Sequence, residues 1–173
     1  MADTIRDRTD LLALLADNTS RDISPQDMRD VLVSTHGVYG GLYVQDGSTA
    51  QTGVDTTPAK MTGFAGNMTA AGTTPDHTND QITVLTDGVY LVWCQISFTG
   101  AASTEYQAHL RVDAVEQEEG FHVEGATTAV AGGFVAVKSL SANEVLTVYI
   151  ESDDAGGQNF TPVDAQLVVF RVA

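Results

Sequence analysis

The segment GVYLVWCQISF, residues 88 to 98, constrains the fold more than any other part of the sequence. Its β-branched and aromatic residues predict one long β-strand. A strand with one face in water alternates apolar and polar residues, but this strand is apolar on both faces. One face, which is predicted to point inward, carries Tyr90, Val92, Cys94, Ile96 and Phe98, and the other begins with Val89, Leu91 and Trp93.

Two other segments, FVAVKSL and AQLVVFRV, repeat this pattern, so several strands are expected to be buried on both faces. Exposed apolar patches mark interfaces. A tight homo-oligomer that packs through one sheet would therefore explain why the outward face of these strands is also apolar. The alternative is that two helices, which we predict for the N-terminal residues 1–37, cover a central strand. We favour the oligomer.

The chain divides into two predicted parts. Residues 1–37 form a short two-helix N-terminal arm, in which Ser24-Pro25 begins the second helix and Met28 and Leu32 follow at helical spacing. Residues 38–173 are a mainly β domain of about eight short strands, which predicts an antiparallel jelly-roll β-sandwich. Within it we expect a polar loop at 45–58, an acidic turn at 116–119 and an Ala- and Gly-rich hairpin at 129–133.

The charge balance excludes several partners. The formal net charge is −15, with 23 acidic and 8 basic residues. This balance argues against binding nucleic acid or an anionic membrane, both of which need a basic surface. Four of the basic residues lie in the predicted arm, namely Arg6, Arg8, Arg21 and Arg29. With one cysteine there is no intrachain disulfide, and we expect neither an export signal nor a membrane span.

Three segments carry a family resemblance. GVYLVWCQISF resembles the signature strand of the tumour necrosis factor (TNF) and complement globular-head superfamily. GGFVAVKSLSANEVLTVYIES is similar to that family's later hairpin, and NFTPVDAQLVVFRV to its C-terminal strand. The resemblance implies a TNF-like jelly roll that forms a three-fold trimer. The face that matches Leu91, Trp93 and Gln95 would then line the trimer axis.

The arm carries a second resemblance. DISPQDMRDVLVSTHGVYGGLYV resembles a helical segment of phage and prophage virion proteins, with the pattern I-S/T-x-Q-D-x-R-D. The domain behind it looks like the trimeric jelly rolls of phage head and tail proteins. This resemblance implies a virion protein that decorates or cements a capsid, a head fibre or a receptor-binding tip.

The sequence shows no persuasive catalytic constellation, so we expect no enzymatic activity, no cofactor and no metal. His109 and His122 are close enough in sequence to meet across a hairpin as metal ligands, but partly exposed strand histidines are the commoner case. The acidic loops at 116–119 and 153–154 are interpreted as solvated turns rather than Ca²⁺ sites.

The hypothesis that follows is a structural virion protein of a tailed bacteriophage, a homotrimer on the capsid surface that is assembled in the host cytoplasm. Its partners would be its own copies and the major capsid protein or another virion protein. We expect the arm to anchor it to the capsid through Arg6, Arg8, Arg21, Arg29, Met28 and Leu32. The alternative is a receptor-binding tip or tail-fibre module whose loops, such as 113–120 and 152–161, recognise a host surface ligand.

Overall fold

The computed structural model describes residues 37 to 172, and all of its regular structure is β-strand. The predicted helical arm and its six anchoring residues lie outside the described residues. The strands are β1 (Tyr39–Val44), β2 (Gln51–Val54), β3 (Ala59–Lys60), β4 (Gly66–Asn67), β5 (Thr73–Asp76), β6 (Gln81–Val84), β7 (Gly88–Gly100), β8 (Glu105–Val112), β9 (Val115–Glu124), β10 (Val130–Leu140), β11 (Val145–Ser152) and β12 (Gln158–Arg171). In this range there is no helix long and apolar enough to span a membrane.

The strands form two antiparallel sheets of six strands each. Sheet A has the order β10-β7-β12-β1-β4, with β2 paired to the beginning of β12. Sheet B has the order β5-β6-β11-β8-β9, with β3 paired to β11. The two sheets share one apolar core, which confirms the predicted jelly-roll sandwich.

The inward face of β7 supplies the centre of this core. Tyr90, Val92, Ile96 and Phe98 are fully buried, as the alternation of the sequence predicts. At one end of the sandwich Phe98 stacks on Phe160, with ring centroids 4.6 Å apart, and meets the edge of Tyr106 at 5.3 Å. Such pairs add to the free energy that burial alone contributes.

The edges of the two sheets close on each other between β9 and β10. The Phe121 ring of β9 lies against Gly132 of β10, where a Cβ atom would stand 2.2 Å from the ring. Glycine is therefore required at this position for the sheets to approach. Farther along β10, Lys138 Nζ lies 2.6 Å from Glu119 Oε2 of β9 and forms an ion pair between the two edge strands.

Three predictions of local structure are corrected. The polar loop at 45–58 contains β2. The acidic turn at 116–119 lies within β9, because the reversal occurs earlier, at Asp113 and Ala114, both with positive φ. Most of the hairpin expected at 129–133 is the beginning of β10.

Candidate self-association surface

The outer face of sheet A brings the second apolar face of β7 together with those of its two neighbours. Residues opposite each other in antiparallel strands share a face of the sheet. One row across the sheet is Val137, Leu91 and Phe170, and the next is Val135, Trp93 and Val168. We call the set Leu91, Trp93, Val135, Val137, Val168, Phe170 and Val172 the apolar face; Val172 joins it where its N–H bonds to Val89.

The large apolar residues of this surface are unusually exposed to solvent. Seven large apolar residues are exposed in the described part of the chain, and five of them lie here. Val135, Val137 and Val172 are 59% to 62% exposed, and Phe170 is 45% exposed. Trp93 is 36% exposed, since valines flank it on both neighbouring strands. A continuous exposed patch of this kind marks an interaction site.

Strand β1 closes one side of the apolar face. Gly41 lies opposite Val168, and the Met68 sulfur covers the position that a Cβ atom of Gly41 would occupy, 2.8 Å away. Val168 is consequently only 7% exposed. The accessible part of the surface therefore runs over β10, β7 and the end of β12.

The character of the surface changes along the strands. Beyond the row of Trp93, the next row holds Gln95 and Gln166, and the row after that holds Ser97 and Asp164. These side chains line a pocket of about 250 Å³. Among the outward residues of β1, β7, β10 and β12, Asp164 is the single charged residue. The face is thus apolar at one end and polar, almost without charge, at the other.

The three residues predicted for a trimer axis lie on this one face. Leu91 and Trp93 belong to its apolar end, and Gln95 begins its polar end. The sequence interpretation did not include four further exposed members, Val135, Val137, Phe170 and Val172. The signal was present, because FVAVKSL and AQLVVFRV are apolar on both parities, but only the register of the strands shows that these residues adjoin Trp93.

The carboxylates of the acidic loop at 152–157 accept hydrogen bonds from the loop and from the adjoining strands. Asp154 accepts hydrogen bonds from the Gly156 N–H at 2.7 Å and from Gln158 Nε2 at 2.6 Å, and these bonds hold the pKa of its carboxyl below the ordinary value. Asp153 accepts a bond from the Glu105 N–H at 2.9 Å. These contacts give the loop carboxylates a structural role.

Cys94 lies inward, as predicted, and is completely buried. Burial raises the pKa of its thiol far above the ordinary value, which leaves it a small apolar side chain rather than a nucleophile. Within residues 37 to 172, no three His, Cys, Asp or Glu side chains are already arranged as metal ligands.

Comparison with known proteins identifies the fold. No protein-family model and no curated protein matches the sequence. Among solved structures, the globular domain of the zebrafish complement 1qA protein matches with a TM-score of 0.51 and 18% identity, over 79% of this chain and 98% of that chain. Murine APRIL matches with a TM-score of 0.51 and 14% identity, over 78% and 99% of the two chains. The described domain therefore has the TNF/C1q-like jelly-roll fold.

Proposed function

We propose that this protein is a homotrimer that associates through the apolar face, and that the trimer is a non-enzymatic structural component of a tailed-phage virion, on the capsid surface. The observation that carries the first part is the continuous exposed surface of Trp93, Val135, Val137 and Phe170. The number three comes from the resemblance to the trimeric TNF and complement family.

The distribution of charge supports self-association at this face. The residues from 37 to 172 include 16 acidic and 4 basic side chains, so most pairs of surfaces would bring carboxylates together. If copies associate through the apolar face, no carboxylates face each other over the two rows that contain Leu91 and Trp93. Burial of large exposed side chains there would contribute roughly 25 cal/mol for each Å² of apolar surface removed from water.

The virion role has a different support. It rests on the pattern DISPQDMRD, on the four arginines of the predicted arm, and on the joining of that arm to one domain of the TNF/C1q-like fold. In this proposal the arm contacts the capsid, the jelly roll lies outside it, and the chain is assembled in the host cytoplasm.

Paired substitutions test the trimer. Val137 on the apolar face is 62% exposed, and Val115 on the β8–β9 hairpin is 64% exposed. Val137→Asp should convert a particle of three 18.3-kDa chains into monomers, because it buries three carboxylates in the interface, whereas Val115→Asp should leave the mass unchanged. Light scattering after size exclusion gives the mass. A monomeric parent protein, or a Val137→Asp protein with the parent's mass, would overturn the proposal.

Fluorescence gives a second readout of the same interface. The chain has one tryptophan, Trp93, so its emission reports on this face alone. The emission maximum should shift to longer wavelength in Val137→Asp, because Trp93 becomes hydrated in the monomer. No shift would place Trp93 outside the interface even if the protein is an oligomer.

The copy number in purified particles tests the virion role. Quantitative mass spectrometry against the major capsid protein should give hundreds of copies in a fixed ratio to the shell. A handful of copies, in multiples of three, would instead indicate a fibre or tip. Absence from the particles would reject the virion role and leave the trimer proposal standing.

One observation favours the receptor-binding alternative. A cleft of about 460 Å³ opens at one end of the sandwich, where the end of β7 pairs with the beginning of β12. Its lining is uncharged, which is notable in so acidic a domain, and consists of Thr99, Gly100, Ala101, Thr127, Gly157, Gln158, Asn159 and Thr161. If the copy number is low, this cleft is the first place to search for a neutral polar ligand.

A further inference from the structure

The outer face of sheet B, on the opposite side of the sandwich from the apolar face, brings two histidines together. His109 on β8 and His122 on β9 are diagonal neighbours, because Gly120 lies opposite His109 and Gln107 lies opposite His122. Their ring centroids are 6.0 Å apart and the rings are nearly perpendicular, at 82°. Diagonal side chains of this length are within reach of each other.

Each imidazole also faces a carboxylate. His122 Nδ1 lies 2.8 Å from Glu105 Oε1, and His109 Nε2 lies 3.8 Å from Glu151 Oε1. His109 Nε2 is also 3.4 Å from Gln107 Oε1. Histidines that bind metals commonly hold a carboxylate or carbonyl group on the second ring nitrogen, which fixes the tautomer and raises the basicity of the first.

Strand β9 has a glycine at the position where the His109 ring packs. A Cβ atom on Gly120 would stand 2.6 Å from His109 Nδ1, so the imidazole lies directly over the glycine. The His109 side chain is 15% exposed, and that of His122 is 54% exposed. The His109 imidazole is therefore packed against the sheet, with its Nδ1 edge toward the strand of His122, whereas the His122 imidazole is more exposed and is held by Glu105.

We propose that His109 and His122 together bind one divalent transition-metal ion of the Zn²⁺ or Ni²⁺ type. The two imidazoles are the ligands, water completes the coordination, and Glu105 and Glu151 act from behind the rings. Imidazole suits these ions, while the acidic surroundings favour a cation of charge +2. The site does not depend on the trimer, since it lies on the other sheet.

Titration of the tag-free, full-length protein with ZnCl₂ and with NiCl₂ by calorimetry tests the site. His109→Gln and His122→Gln should each weaken binding at least about tenfold. The matched control is His77→Gln, because His77 is an exposed histidine whose ring bonds to Asn67 in a different part of the fold. That variant should bind as the parent does.

Two further measurements separate ligation from general charge attraction. Glu105→Gln should weaken binding about tenfold while leaving both imidazoles present. Binding should also weaken in acid, because protons compete with the metal ion for the imidazole nitrogens. The proposal fails if the parent binds neither ion, if the double variant of His109 and His122 binds as tightly as the parent, or if His77→Gln weakens binding as much as His122→Gln. Circular dichroism of each variant shows that it is folded.

Discussion

Asp80 is a buried acid in a strongly acidic domain, and its environment allows a quantitative prediction. The side chain is 8% exposed. One carboxylate oxygen accepts hydrogen bonds from the N–H groups of Gly63 at 3.1 Å and Phe64 at 2.9 Å, which ties the chain before β4 to the turn before β6. Burial raises the pKa of this carboxyl above its ordinary value of 3.8, although the two N–H groups act in the opposite direction.

Two substitutions separate the hydrogen bonds from the charge. Asp80→Ala removes the acceptor and leaves two backbone N–H groups unpaired, at about 1–3 kcal/mol for each buried group. The Phe64 bond is buried and the Gly63 bond is partly exposed, so we expect a total loss of about 2–4 kcal/mol. Asp80→Asn keeps an oxygen acceptor and suits the positive φ of 49° at this position. It should be close to the parent in stability, or more stable, at pH 7.

The pH dependence has a definite sign. A carboxyl whose folded-state pKa is raised contributes most to stability below its unfolded-state pKa, and that contribution is lost as the pH rises through the folded-state pKa. For Asp80 the loss begins near pH 3.8 and ends once the carboxyl is ionised in the folded protein as well. The Asn variant lacks this loss. The difference in free energy of unfolding, Asn variant minus parent, should therefore increase over that pH window and stay constant above it.

Urea unfolding of both proteins between about pH 3.5 and 6.5, at one fixed protein concentration, measures this difference. The fixed concentration is needed because the stability of an oligomer depends on it. A difference that does not change with pH, or that favours the parent as the pH rises, would refute the reasoning that desolvation dominates. Equal destabilisation by Asn and Ala would show that the hydrogen bonds require the charge.

Three other predictions concern the core. Gly132→Ala should cost about 1–3 kcal/mol in urea unfolding, because the new methyl group stands 2.2 Å from the Phe121 ring; a parent-like value would contradict the close packing. Tyr106→Phe should cost about 1–3 kcal/mol, since the hydroxyl donates to the Asn159 carbonyl at 2.8 Å, and an unchanged midpoint would mean that water replaces it. Cys94 should resist iodoacetamide in the native protein and react in urea, as followed by mass spectrometry, whereas rapid native alkylation would contradict its burial.

The long strands could be predicted from the sequence because they are runs of β-branched and aromatic residues. In β7 the inward set from Tyr90 to Phe98 is buried throughout, as the two-residue period requires. The beginning of β9 was predicted as an acidic turn because β9 is an edge strand, and charges on an edge block pairing with other chains. Its residues Glu116, Glu118 and Glu119 therefore have the composition of a turn. Strands of two to four residues, such as β3 and β5, are too short to show a period.

The candidate surface could be predicted only in part. Trp93 in an outward position indicated an interface, and its own strand supplied Leu91 and Gln95. The membership of Val135 and Phe170 depends on the register of β10 and β12 against β7, which pairs Val135 with Trp93 and Phe170 with Leu91. A shift of one residue would turn either strand's side chains to the other face. The sequence does not determine that register by local pattern, because both parities of these strands are apolar.

The opposite character of the two outer faces supports the proposal that copies of this chain associate through the apolar face. The outer face of sheet B carries Glu105, Glu124 and Glu151 besides the Arg111–Glu116 ion pair, and two copies that met there would oppose carboxylates across the contact. Such like-charge contacts cost several kcal/mol. A contact between two apolar faces would bring no charged side chains together over the rows of Leu91 and Trp93. The acidic composition therefore favours the apolar face over the outer face of sheet B as the contact that we propose between copies, and that contact would leave the histidine pair exposed to solvent and to cations.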